Sequence, residues 1–492
     1  MSAHGSLSAP DAPLQCTRCG GSGADPTCTS DSANFHVFAD ELPARLEPGQ
    51  QPQLGVTDMP THVLNLDAPA EKRWAHILPQ YADAARALQA VVQREMASRS
   101  PDFAVAASEL IGVLEAQFEF ARELVGIAAL LGCDITTLMT QQLWLETYGG
   151  CSTMITNIDP GKVGGGIAGG LEVPYCIRTM DWGLDEMRLC TFQVKAVRQG
   201  RVLYVATTHA GYIGFITASS PAYGVSVNYR YGPDLRGGLD VRRPAVVKRV
   251  QEGVALGHAP ITFVVRNMLE TARTYKEATA HAKTVALMAP CYFAIVGSAR
   301  GEGCVVTRAQ TAAQQFPVWE LATDGPTCQT NDDIFAEDDG WVLSGGTEPT
   351  WIRETGAKNG KHSCHRRNLA EKCIASMSTG EQTLGPNGAG GVDPIQLWEL
   401  MSVVPLRNPE TIFTTAMCSA TGHYMSVMEL TAEDQARATL RFKGPAQPEA
   451  NERSPCKNPN GCDFFGAPAT DGFCSSCYKK LAVGGRQIGE SL

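Results

Sequence analysis

Between residues 76 and 148 apolar side chains return every three or four positions, whereas after Cys151 they fall into short runs rich in Val, Thr, Tyr and Phe. The first pattern predicts helices at roughly 76–97, 102–131 and 134–148, with Asp102 and Asp134 as N-caps whose carboxylates accept from exposed first-turn amides. The second predicts a meander over "CTFQVKAVRQGRVLYVATTHAGYIGFITASS", turning at Gln199-Gly200. A helix at about 260–284 follows, then strands in "CYFAIVGSARGEGCVVTR", "TIFTTAMCSA" and "HYMSVMEL". Helices and strands in separate blocks indicate a layered α+β architecture rather than alternating βαβ units.

Composition sets the borders. Residues 1–58 are rich in Ser, Ala, Pro, Gly and Asp and predict a disordered tail carrying a lone CxxC. The helical segment then occupies 59–150, the strand-rich core 151–442, a linker 443–453, and a cysteine-bearing module 454–484. "SMSTGEQTLGPNGAGG", around 376–393, reads as a surface insertion. At 492 residues and 43% hydrophobic content the chain can bury a large core. A net charge of -10 with singly scattered Lys and Arg argues against DNA as partner. No apolar run approaches the roughly 18 residues of a membrane span. The first residues lack a basic start followed by an apolar stretch, which with many unpaired thiols predicts a cytoplasmic location. The 17 cysteines cannot all pair, and Cys190, Cys291, Cys304 and Cys418 sit in apolar contexts that suit core thiols.

The chemistry concentrates in "LETYGGCSTMITN", where Cys151 follows two glycines at a helix-to-strand junction. A structural thiol is one explanation. The other is that the thiol attacks its own preceding carbonyl, glycine permitting the strained backbone, and so frees its α-amino group. That amine, with a reference pKa of about 7.7 to 8.0, would serve as base to the sulfur beside it. Arg178 and Asp181, in "CIRTMDWG", could tune that amine and bind a developing anion, or could form an ordinary surface ion pair.

The pieces "NLDAPAEKRW", "LETYGGCST", "RTMDW", "TTHAGYIGF", "QTNDD", "HRRNLA" and "MSVVPLRNPETIFTTAM" occur in the order seen in the acid ceramidase and N-acylethanolamine acid amidase family, which residues 61–430 resemble. These are cysteine N-terminal nucleophile hydrolases related to penicillin V acylase and bile-salt hydrolase. The resemblance implies an αββα sandwich preceded by a helical segment, and hydrolysis of lipid amides such as N-acylethanolamines or ceramide without a catalytic cofactor. It implies Cys151 as the self-processed nucleophile, Arg178 and Asp181 beside it, Asn331 as an oxyanion donor, Arg366 as a second active-site arginine, and Asn228 as an oxyanion or positioning group. Tyr229 stands where relatives often carry an acidic residue, Cys364 and His365 replace aspartates, and Gly150 replaces a larger residue. By family analogy alone the location would be lysosomal.

The tail, "CKNPNGCDFFGAPATDGFCSSCYKK", places Cys456, Cys462, Cys474 and Cys477 as four thiolates suited to tetrahedral structural zinc. Zinc binding of roughly 10 to 16 kcal/mol could fold a segment too short to fold by burial. It resembles the A-twenty type of zinc finger, which implies ubiquitin binding, with Phe464 and Phe465 as anchors or as rings packed over the metal. Cys16, Cys19, Cys28 and His36 could compose a second site, but a single CxxCxGxG copy assigns no metal. The alternatives are a ubiquitin-binding adaptor with an inactive hydrolase-like domain, and a penicillin V acylase-like amidase or acyltransferase on small amides.

Overall fold

The computed structural model describes residues 59–97, 101–144, 146, 149–160, 172–182, 184–230, 239–310, 316–332, 363–378, 392–402, 406–407, 410–428, 454–455 and 465–466. The chain divides into two compact units, 1–438 and 439–492. The expected tail at 1–58, the linker at 443–453 and nearly all of the 376–393 insertion lie outside the described residues.

In the first unit the strands are β1 (Thr61–Asn65), β2 (Gly150–Ile158), β3 (Val173–Asp181), β4 (Thr191–Arg198), β5 (Arg201–His209), β6 (Thr217–Ser219) and β7 (Tyr223–Tyr229). They continue as β8 (Cys291–Gly297), β9 (Gly303–Arg308), β10 (Val318–Glu320), β11 (Thr327–Gln329), β12 (Thr411–Cys418) and β13 (His423–Val427). One sheet has eight strands in the order β1-β4-β5-β6-β7-β8-β9-β10, the other five in the order β11-β2-β3-β12-β13. The turn at Gln199-Gly200 forms as expected: φ is 49° at Gln199 and 72° at Gly200, the left-handed pair that a tight two-residue hairpin requires.

The two sheets face each other. Thr153 Oγ1 on β2 meets Ser226 Oγ on β7 at 3.0 Å, and Thr207 Oγ1 on β5 meets Ser426 Oγ on β13 at 2.6 Å. Ile155, Cys176, Val205, Tyr292 and Met417 fill the layer between them. Gly224 on β7 leaves room for this packing, since a Cβ there would lie 2.7 Å from Met417 Sδ and push that side chain aside. Helices Ile261–Thr271 and Tyr275–Thr284 cover the eight-stranded sheet, and Ser363–Ser378 and Pro394–Met401 cover the other, completing an αββα sandwich.

The long expected helices are subdivided. Residues 102–131 form helices Pro101–Gln117 and Glu123–Leu131, because Phe118 is extended (φ -133°, ψ 117°) and a 3-10 turn intervenes. Proline takes the first position of the former, so Asp102 lies inside it rather than capping it. Asp134 does cap: its Oδ1 accepts from the Thr137 amide at 3.0 Å ahead of helix Ile135–Trp144. Residues 78–81 form a 3-10 turn before helix Ala82–Ala97. The expected helix at 260–284 breaks at Ala272, and Thr274 caps the second half through its Oγ1, 3.1 Å from the Glu277 amide.

Residues 59–150 are built into the sandwich and do not lie apart from it. Strand β1 pairs in parallel with β4 from Thr61↔Gln193 to Asn65↔Val197. Glu123, fully buried, accepts from Arg266 Nη2 at 2.5 Å, Arg73 Nη1 at 3.0 Å and Trp74 Nε1 at 2.5 Å. Arg266 Nε also reaches Glu270 Oε1 at 2.9 Å, and Arg198 reaches Glu270 Oε2 at 2.5 Å. Each charge of this buried cluster therefore has an opposite partner, which is the condition for keeping it out of water.

Candidate active site

Cys151 is the second residue of β2, where Gly150↔Asp181, Cys151↔Met180 and Thr153↔Arg178 are in register with β3. Alternation places Cys151 and Arg178 on one face, and Arg178 Nη2 donates to Cys151 Sγ at 2.6 Å while its Nη1 bonds Thr217 Oγ1. Arg178 is fully buried, so it is no surface ion pair. Asp181 is not its partner. Lying opposite Gly150, it accepts from Thr411 Oγ1 at 2.6 Å and stands 3.6 Å from Arg366 Nη1.

Asn331 and Arg366 arrive from distant sequence, the one just after β11 and the other in helix Ser363–Ser378. Asn331 Oδ1 accepts from the Cys151 amide at 3.1 Å, and its Nδ2 donates to Gly149 O at 3.0 Å and Tyr229 O at 2.7 Å. Arg366 Nη1 donates to Cys151 O at 2.6 Å and Ser152 Oγ at 2.7 Å, and its Nη2 to Asn331 Oδ1 at 2.8 Å. One amide and one guanidinium thus hold the backbone on both sides of the Gly150–Cys151 bond. Gly150 suits this crowding, since a Cβ there would fall 3.1 Å from Asp181 Cβ.

Asn228 stands one layer away. Its Oδ1 accepts from Thr153 Oγ1 at 2.7 Å and its Nδ2 donates to Gln329 O at 2.8 Å and Thr330 O at 3.1 Å. Its hydrogen bonds therefore tie the strand that carries Asn331 to β2 and β7 and do not reach Cys151. Tyr229, at the position where relatives often carry an acid, accepts from Arg249 Nη1 at 3.1 Å through its hydroxyl. The side chains of Cys364 and His365 lie outside the described residues.

Burial pushes the Cys151 thiol above its ordinary pKa, and the Asp181 carboxylate adds to that rise, while Arg178, Arg366 and the Tyr229 backbone amide oppose it. Cys151, 4% exposed, opens onto a cleft that is also lined by Glu146, Gly149, Gly150, Met180, Trp182 and Tyr229. Sequence reasoning did not single out Glu146, Trp182 or Ser152. Glu146 had a signal of its own, as an acid five residues before the cysteine and two residues past the end of helix Ile135–Trp144.

A buried thiol near the head of an internal strand, set in two facing sheets between helical layers, is the arrangement expected of a cysteine N-terminal nucleophile hydrolase. Within it the chain resembles the acid ceramidase and N-acylethanolamine acid amidase family. Residues 57–117 match the family model for the beta subunit of N-acylethanolamine-hydrolyzing acid amidase. Acid ceramidase of Mus musculus is 24% identical over 377 residues, spanning 75% of this chain and 86% of the mouse protein. N-acylethanolamine-hydrolyzing acid amidase of Cavia porcellus is 25% identical over 369 residues, spanning 73% and 87%. A solved structure, the Caenorhabditis elegans N-acylethanolamine-hydrolyzing acid amidase (NAAA) ortholog, matches with 22% identity and a TM-score of 0.39, covering 55% of this chain and 93% of that one.

Residues 454–481 match the A20-like zinc finger model. Here β14 (Ser454–Pro455) pairs with β15 (Phe465–Gly466), Ser454 opposite Gly466. The expected ligands Cys456, Cys462, Cys474 and Cys477, like Phe464, lie outside the described residues, as do Cys16, Cys19, Cys28 and His36. Of Phe465 only the backbone is described.

Proposed function

We propose that this protein is a self-processing amide hydrolase acting on lipid amides, with Cys151 as nucleophile. The observation that carries this reading is the convergence of Arg178 on the Cys151 sulfur and of Asn331 and Arg366 on the backbone beside it, within 2.6 to 3.1 Å. In processing, the sulfur attacks the Gly150 carbonyl carbon, the Gly150–Cys151 C–N bond breaks and the chain passes through a thioester. Water then cleaves the thioester, leaving a Gly150 carboxylate and a Cys151 with free thiol and α-amino group. In turnover the amine accepts the thiol proton as sulfur attacks the substrate amide and returns it to the leaving amine; water releases the acid from the thioester. Arg178 lowers the cost of sulfur anion, and Asn331 donates to the developing oxyanion once the Gly149 carbonyl has released one of its N–H groups.

Preference for lipid amides is supported by the names of the relatives, acid ceramidase and N-acylethanolamine-hydrolyzing acid amidase, and by Met180, Trp182, Ile216, Val227 and Ile261 along the cleft. The test pairs intact mass with turnover of a fluorogenic fatty amide across pH. Cleavage at Gly150–Cys151 and hydrolysis, both abolished in Cys151→Ala, are the expected outcome. A chain that stays single and inert sinks the reading in favour of an adaptor.

The finger fits zinc by its donor set: Cys456, Cys462, Cys474 and Cys477 supply four thiolates, which satisfy tetrahedral structural zinc with no further ligand. Ubiquitin is its proposed partner, through Phe464 and Phe465, and retention of ubiquitin by the wild-type protein but not by Phe465→Ala is the outcome expected. The matched finger type and the free thiols at nine described cysteines support a cytoplasmic location, testable by fractionation.

A further inference from the structure

Arg178 is fully buried, and among the described residues no carboxylate pairs with it: Asp181, three residues on, faces Arg366 instead. Its Nη2 goes to the Cys151 sulfur at 2.6 Å and its Nη1 to Thr217 Oγ1. Its Nε is buried with no hydrogen-bond partner, and the guanidinium carbon lies 5.6 Å from the centre of the Phe413 ring. Among the described residues, Thr217 is therefore the only group besides the nucleophile that accepts from this guanidinium. A rigid planar fork held at one nitrogen has its other nitrogen aimed.

Thr217 is itself held from the opposite sheet. It opens β6, a strand of three residues, and its carbonyl accepts from the Tyr424 hydroxyl on β13 at 3.2 Å. That hydroxyl also meets Thr207 Oγ1 at 2.8 Å, and the row continues to Ser426 Oγ and then Thr415 Oγ1, at 2.6 Å in each step. Thr415 stands opposite Arg178 in the register of β12 with β3, so the row starts and ends beside the arginine. All five side chains are buried, in a layer that Ile155, Val205 and Met417 otherwise fill with apolar groups. Apolar side chains there would carry no desolvation cost, so hydroxyls that converge on one guanidinium have a task in placing it.

We propose that Thr217 is a positioning residue of the hydrolase, aiming the Arg178 guanidinium at the Cys151 sulfur, with Tyr424 holding Thr217 from across the sandwich. This inference rests on the hydrolase reading and deepens it. Without the Thr217 hydroxyl, Nη1 is left buried and unsatisfied, the guanidinium turns towards other acceptors, and the sulfur loses its cation for part of the time. Neither Thr217 nor Tyr424 lines the cleft, so substrate binding is spared.

The experiment follows fatty-amide hydrolysis by the full chain across pH in wild type and four variants. Thr217→Val keeps the shape and removes the acceptor. Its kcat should fall about ten- to a hundredfold, the worth of one hydrogen bond to a charged group, with KM little changed and the acid limb of kcat/KM moved to higher pH. Thr217→Ser restores the hydroxyl and should recover most of the rate. Tyr424→Phe loosens Thr217 but leaves its hydroxyl, and should lower kcat less and in the same pattern; should Thr217→Val not fold, Tyr424→Phe decides. Ser219→Ala breaks another tie of β6 to the opposite sheet, Ser219 Oγ to Ser419 Oγ at 3.0 Å, without touching Arg178, and should leave kcat near wild type. A Thr217→Val enzyme with wild-type kcat and pH profile overturns the inference and leaves the hydrolase standing. A fall in kcat that Thr217→Ser does not recover, or that Ser219→Ala shares, overturns it equally. Absence of hydrolysis by wild type overturns the hydrolase reading itself.

Discussion

Asn331 carries an unusual load for one side chain: its oxygen holds the Cys151 amide and its nitrogen holds two carbonyls, Gly149 and Tyr229. Replacing it with alanine removes the side chain that grips the Cys151 amide and the Gly149 carbonyl on either side of the proposed cut, and with it the proposed oxyanion donor. Asn331→Ala should lower kcat by about 10² to 10³, the range for a single oxyanion donor, and slow the appearance of the cut form in a mass time course. Glu146 gives a prediction in pH. Its carboxyl is raised from the ordinary 4.5 to about 8 by burial, so the folded state binds a proton that the unfolded chain releases between those values. The stabilisation is complete below pH 4.5 and is lost as pH climbs towards 8, at about 1.4 kcal/mol for each pH step of one across that window. Glu146→Gln removes this loss, so its Tm relative to wild type should be higher at pH 8 than at pH 5.

Among elements, the join between residues 59–150 and the strand core is decided by charge as well as by pairing. Glu123 on helix Glu123–Leu131 faces Arg266 on helix Ile261–Thr271, both with fully buried side chains. Glu123→Ala would strand Arg266 with only Glu270 as counter-ion and should cost about 3 to 5 kcal/mol in urea unfolding, against near zero for Asp83→Ala in the exposed Arg86–Asp83 pair. This join was not legible in the chain, because a glutamate in an amphipathic stretch gives no sign of a partner 143 residues on. What was legible followed local rules: the hairpin at Gln199-Gly200, the cap at Asp134 and the switch from helix to strand before Cys151. The break at Ala272 also had a local signal, Thr274 followed by Glu277, whose Oε2 accepts from the Arg273 amide at 2.7 Å, but apolar periodicity runs straight through it. Phe118 had no such signal, since its extended backbone answers to packing against Phe120 and Phe263. The site divides the same way: motif order singles out Asn331 and Arg366, but only the fold places them against a residue 180 and 215 positions earlier.

For the whole molecule, the two compact units make a separable prediction. A chelator that strips zinc from the module after residue 439 should abolish ubiquitin retention yet leave fatty-amide turnover unchanged, measured on one preparation. Loss of both together would mean that the metal also supports the first unit. The proposed cut after residue 150 would divide that unit, yet β1 is hydrogen-bonded to β4 and Glu123 to Arg266 across the division, so both fragments should elute as a single species.

The grip of Asn331 on Gly149 O has a further bearing on how such an enzyme begins life. While the backbone is continuous, that nitrogen is spoken for by the protein's own carbonyl. Once the peptide is severed and its loose end withdraws, one of the two N–H groups is released, the other staying on Tyr229 O, and the freed one can close on a visitor's oxygen. Maturation and turnover would then be successive uses of one apparatus, with the newborn chain as its first customer.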